Sequence, residues 1–132
     1  MGYLFGYWTR PVFSKPIVVI IDEEVQSNGE IFSHAIKTLR RGLLVGRQTA
    51  GEVIATTDTP LLDYGTFREP FWGWFLPDGT DMESGGAVPD IPVDLTPVDE
   101  AAGRDPQLDA AIKAISRELS KPAPKFVPKY PR

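Results

Sequence analysis

The unbroken β-branched run Ile17-Val18-Val19-Ile20-Ile21 constrains the fold more than any other stretch of the chain. Alternation would mark a strand with one wet face; a continuous run suits a strand buried on both faces of a parallel sheet. Parallel neighbours need a crossover connection, and the next residues supply one. After the acidic cluster Asp22-Glu23-Glu24, residues Ile31, Phe32, Ala35, Ile36 and Leu39 recur at helical spacing while Lys37, Arg40 and Arg41 face outward, which predicts a helix over 28–41. Basic residues in its last turn complement the negative helix end, and Gly42 is placed to act as a left-handed cap. Leu43-Leu44-Val45 then reads as a second strand. Residues 17–45 are thus a strand, helix, strand unit with a right-handed crossover, and the chain is of α/β class.

The remainder is organised around turns, as 12 glycines and 13 prolines in 132 residues require. Alternating segments at 59–62, 66–69 and 71–76, separated by Asp63-Tyr64-Gly65 and Pro77-Asp78-Gly79, predict antiparallel hairpins packed onto the crossover unit. Pro89-Asp90-Ile91-Pro92 reads as a rigid connection. Asp105 as N-cap and Pro106 at the first helical position open a last helix to Leu119, with Leu108, Ala111, Ile112 and Ile115 on one face. Residues 1–119 form the domain. Residues 120–132, alternating proline and lysine, should be extended or disordered. At the other end, aromatic residues 3–8 followed by Pro11 and Pro16 suggest a strand and an irregular connection, so the chain reads as starting inside a fold.

Several chemistries are excluded. The run 17–21 is the longest apolar stretch and is far short of the roughly 18 residues that cross a bilayer, and no signal peptide is visible at Met1. Cysteine is absent, which removes disulfides, thiolate zinc sites and a cysteine nucleophile. The net charge is −4, but Lys121, Lys125, Lys129 and Arg132 all lie in the last thirteen residues, so residues 1–119 carry −8. A body this acidic is a poor phosphate binder, which argues against nucleic acid.

The most informative stretch is Gln26-Ser27-Asn28-Gly29-Glu30, between the buried strand and the helix. A serine at that junction is exposed at the carboxyl end of a parallel strand, with the N–H groups of the first helical turn aimed at any oxyanion formed on its substrate. Ser27-x-x-Glu30 is equally a capping box, and the pattern by itself favours the cap. The one histidine, His34, lies seven residues further along the helix, about 10 Å away at 1.5 Å rise per residue, too far to serve as the serine's base. Lys15 and Lys37 have no context that suggests burial. Asp81 and Glu83 flank a turn beside Gly85-Gly86, and spacing alone does not bring Glu83 to Ser27. The run Phe71-Trp72-Gly73-Trp74-Phe75 fits core better than binding surface, although two tryptophans beside a glycine can line a peptide groove.

Taken together, Pro16 to Leu39 (PIVVIIDEEVQSNGEIFSHAIKTL), Leu44-Val45-Gly46 with Thr49-Ala50-Gly51, and Asp81 to Pro92 (DMESGGAVPDIP) resemble the C-terminal part of the tricorn-type and carboxyl-terminal-processing serine peptidases. The resemblance spans residues 15–119 and implies the C-terminal portion of a Clp protease and crotonase-like α/β catalytic domain. It makes Ser27 the nucleophile, the Asn28 amide an oxyanion donor, and Glu83 the carboxylate that completes a tricorn-type tetrad. Serine–lysine processing peptidases carry a lysine where this chain has Gly51-Glu52; Glu52 cannot act as an amine base, which points to the serine–histidine branch.

In that branch the base histidine and the substrate-selecting residue lie well upstream of the nucleophile, and here only 26 residues precede Ser27. The expectation is therefore the nucleophile-bearing part of an endopeptidase, acting on peptide or protein substrates without cofactor or metal, and inactive without the segment that brings the base. Two other readings stay open: a non-catalytic interaction or oligomerisation module of the same fold, and a crotonase-like acyl-thioester enzyme in which Ser27 is only a cap.

Overall fold

The computed structural model describes residues 13, 15–62 and 64–122. The strand, helix, strand unit is present: β1 (Val18–Ile21), α1 (Asn28–Thr38) and β2 (Leu43–Gly46), with β1 and β2 parallel and Val18 opposite Leu43. A short strand β5 (Ile91–Pro92), where the sequence suggested only a rigid connection, joins the other edge of β2, also in parallel. Sheet order is β1-β2-β5. Ile21 and Leu44 of this sheet pack with Ile36 of α1 and with Ala87, and Ile17 and Val19 close over them. β1 is not buried on both faces as its composition predicts, because Ile20 is 40% exposed; it is the sheet's outer strand among the described residues.

Helix α1 ends three residues earlier than the periodicity suggests, and it ends on Arg40 rather than on Gly42. Arg40 has φ 50°, and the N–H groups of Arg40 and Arg41 donate to the carbonyls of Lys37 and Ile36, the paired bonds of a Schellman motif. Gly42 is needed for a different reason: a Cβ there would lie 2.5 Å from the Ile17 carbonyl oxygen, so the chain could not enter β2 beside β1. The buried face of α1 is Glu30, Ser33 and Ile36, while Phe32 and Leu39 of the expected apolar stripe are exposed.

Beyond β2, β3 (Ala55–Pro60) and β4 (Thr66–Trp72) form the first predicted hairpin, antiparallel, with Asp58 opposite Arg68. Leu76 and Thr80 are bonded through the backbone across the Pro77-Asp78-Gly79 turn, which makes the second. The packing differs from expectation. β3 beyond Ala55 is exposed throughout and β4 is exposed except at Glu69, and neither strand packs extensively on the crossover unit. The aromatic run lies on the surface with it, Phe71 and Trp72 being 63% and 62% exposed, so it is not core.

Two helices follow. The sequence did not suggest α2 (Pro97–Ala101), which carries a capping box from Thr96 and Asp99. α3 (Pro106–Leu119) starts where expected: Asp105 accepts the Leu108 N–H at 2.8 Å. Its buried face is Gln107, Ala111 and Ala114, rotated from the predicted one, so that Leu108 and Ile112 are exposed. The readings made for residues 1–12, for Asp63 and for the end of the tail from 123 onward lie outside the described residues.

Candidate active site

Ser27 sits at the N-cap of α1 with φ 50° and ψ −119°, a conformation that L-residues adopt only under constraint, at a cost on the order of 1–3 kcal/mol. Its backbone is fixed on both sides. The Ser27 N–H donates to the Glu52 carbonyl at 2.9 Å, and the Ser27 carbonyl accepts the N–H groups of Glu30 and Ile31 at 2.9 and 3.1 Å. The capping box that the sequence favours is not formed, because the Ser27 side chain makes no cap hydrogen bond. The hydroxyl is left at the surface, beside the positive end of a helix. No backbone oxygen among the described residues accepts the N–H of Asn28, the next residue.

Glu30, the other half of the supposed capping box, turns the opposite way. It is 0% exposed, and its carboxylate accepts the Thr49 hydroxyl at 2.5 Å and the N–H groups of Gly51 and Glu52 at 2.7 Å each. The Thr49 hydroxyl in turn accepts the Ala87 N–H at 2.7 Å, and the Ser84 N–H donates to the Gly51 carbonyl at 2.7 Å. Loop 49–52 is therefore pressed between α1 and loop 84–87. The contact is backbone on backbone: a Cβ on Gly86 would lie 2.0 Å from the Thr49 carbonyl oxygen.

Glu83 is brought to the same loop. Its Oε2 accepts the N–H groups of Val53 and Ile54 at 2.6 and 2.8 Å, and its Oε1 has no partner among the described residues. The connection that spacing alone did not provide thus runs through residues 52–54: Ser27 is tied to Glu52 and Glu83 to the two residues after it. Among the described residues neither histidine nor lysine completes the arrangement. The His34 Nε2 is buried without a hydrogen-bond partner among the described residues, and the Lys37 ammonium is held by the Val88 carbonyl at 2.7 Å and by Asp90 at 3.2 Å. No cluster of metal-ligating side chains is present among the described residues.

Ser27 is thus a strained, uncapped serine at a helix start, with a fixed carboxylate one loop away. The family model described as Peptidase family S41 matches residues 6–93. The chain belongs to peptidase family S41. It is 38% identical over 120 residues to the tricorn protease of Thermoplasma acidophilum, a match covering 89% of this chain and 11% of that protein. It is also 38% identical over 118 residues to tricorn protease homolog 1 of Streptomyces coelicolor, covering 88% of this chain and 11% of the homolog. The crystal structure of the tricorn protease superimposes with a TM-score of 0.76 at 34% identity, over 80% of this chain and 11% of that one. The α/β fold expected from the sequence is therefore that of an S41 peptidase. The chain spans only about a tenth of the length of these relatives.

The sequence did not single out residues 52–54 as the piece that joins Ser27 to Glu83, nor Glu30 as a buried residue. A polar residue three positions past a serine reads as a cap, and only the absence of the cap bond distinguishes the two roles.

Proposed function

We propose that this chain carries the nucleophile of a serine endopeptidase. The observation that carries the reading is Ser27, held at φ 50° with its side chain released from capping at the start of α1. In the reaction the Ser27 Oγ attacks the carbonyl carbon of a peptide bond as a base removes its proton. The oxyanion accepts the Asn28 N–H, the free donor next to the nucleophile, and the aligned dipoles of α1 add to that stabilisation. Collapse transfers the proton to the departing amine and leaves an acyl-enzyme ester, which water then hydrolyses.

Glu83 is the accessory carboxylate. Two backbone amides fix its Oε2, so Oε1 is left to orient a partner brought by another part of the protein. The base comes from there too, since His34 makes no bond to Ser27. The substrate is a peptide or an unfolded protein segment, in keeping with the proteases this chain resembles.

A serine-directed fluorophosphonate, applied to the protein encoded by the complete reading frame, should label Ser27 and fail to label Ser27→Ala. Undiminished labelling of the Ala variant overturns the assignment. The 132-residue chain by itself is expected to cleave no peptide above background, because an unassisted serine hydroxyl is a weak nucleophile. Turnover that disappears in His34→Ala would instead make His34 the base.

A second reading, association with another protein surface or with a second copy, is supported by the exposed hairpin aromatics. It accompanies the first rather than replacing it, since the hairpin lies outside the network that joins Ser27 to Glu83.

A further inference from the structure

We propose that Glu30 is a positioning residue for the nucleophile, acting through the backbone of Glu52; this rests on the reading of Ser27 above. The four consecutive N–H groups of residues 51 to 54 are divided between two carboxylates, the first pair going to Glu30 and the second to Glu83. Between the second and third of these N–H groups lies the Glu52 carbonyl, which accepts the Ser27 N–H. Glu52 is thus gripped at its N–H by Glu30 while its carbonyl holds Ser27, and Glu30 itself stands on the first turn of the helix that Ser27 opens. The result is a closed loop of covalent and hydrogen-bonded links around the nucleophile.

A residue at an unfavourable φ keeps it only where its surroundings over-determine it. Two features show that a carboxylate is required here. Glu30 is wholly buried, and among the described residues no cation pairs with it, so its charge is balanced by hydrogen bonds alone. Both of its oxygens also receive donors, Oε1 from Thr49 and Gly51 and Oε2 from Glu52. A glutamine has the same shape, but whichever way it turns its NH₂ meets a backbone N–H, of Gly51 or of Glu52, that can only donate. Glu30→Gln therefore loosens the 51–52 peptides while filling the same volume.

The test is made on the protein encoded by the complete reading frame, well below its unfolding midpoint. Glu30→Gln should slow fluorophosphonate labelling of Ser27 by about tenfold to a hundredfold and lower kcat for a peptide substrate with KM unchanged, as expected when a reacting atom is displaced by about an ångström. Ile36→Val, a core change in the same helix that leaves loop 49–52 alone, should lower the midpoint without slowing labelling. If Glu30→Gln labels at the wild-type rate, or if Ile36→Val slows labelling as much, the positioning role is overturned. Should Glu30→Gln fail to fold, Thr49→Val decides: it removes one donor to Glu30 but keeps both amides, and should give a smaller loss of rate, whereas an unchanged rate overturns the proposal. A wild-type protein that does not label at Ser27 refutes the nucleophile assignment and this inference with it; a wild type that labels beside an unaffected Glu30→Gln refutes the inference alone.

Discussion

The backbone of Ser27 makes a stability prediction of its own. At an ordinary helix or loop position alanine is preferred to glycine by about 0.5–1 kcal/mol, because glycine loses more freedom on folding. At φ 50° and ψ −119° the order should reverse, since a Cβ is strained there and glycine is not. Ser27→Gly is therefore expected to unfold at higher urea concentration than Ser27→Ala, by about 1 kcal/mol, with both inactive. The opposite order would mean that Ser27 is not held in this conformation. At this scale the site was only partly legible. Residue type and place made Ser27 a candidate, but the same letters spelled a capping box, and neither spacing nor periodicity reveals a positive φ. Glu83 was visible as an acidic residue at a glycine turn; that its carboxylate reaches the amides of Val53 and Ile54 depends on how loop 49–54 closes, which no local pattern encodes.

Elements with their own punctuation were the best predicted. Asp105-Pro106 opens α3 as the sequence indicates, and the pairing of β1 with β2 follows from an unbroken apolar strand and its crossover helix. Which face of each helix is buried was only partly legible: Ile36 and Ala111 are buried as expected. α3 adds Ala114 and leaves out Leu108 and Ile112, because small residues allow it to lie close against β1 and β2, a tertiary preference that side-chain hydropathy does not express. The short helix α2 went unseen, although Thr96 and Asp99 cap each other there. Its cap should respond to pH. The Asp99 carboxyl is held below its ordinary value of 3.8, first by the Thr96 hydroxyl and then by Arg104. A depressed carboxyl contributes stability that is fully present above the unfolded value and is lost as pH falls through the folded one. The Asp99 carboxyl resonance is thus expected to titrate below 3.8, with the α2 amide signals shifting together with it. In Thr96→Val the midpoint should move up toward 3.8; an unmoved midpoint would assign the depression to Arg104 alone.

For the whole molecule, the distribution of apolar surface bears on how the chain lives in solution. Its core is small, centred on Ile21, Ile36, Leu44 and Ala87, while Phe67, Phe71, Trp72 and Phe75 stand more than half exposed on or beside the β3–β4 hairpin. Phe71 and Trp72 stack on each other at 5.1 Å between ring centres, which organises an aromatic face without covering it. Large aromatic side chains grouped in this way mark contact surfaces more often than they remain in water, and the outer edges of a two-stranded sheet offer unpaired backbone groups beside them. Net charge opposes self-association only weakly, at −4 for the entire chain. The chain is accordingly expected to show concentration-dependent mass in sedimentation equilibrium. Trp72→Lys with Phe75→Lys should return it to a monomer with little loss of stability, since neither side chain is part of the core. The paired substitution also separates the two proposed roles. Labelling of Ser27 in the complete protein should survive it if the hairpin serves only association, and fall with it if the aromatic face also holds the peptide that Ser27 attacks. A wild-type chain that sediments as a monomer at every concentration would remove association from the account and leave the second outcome as the use of that surface to be tested.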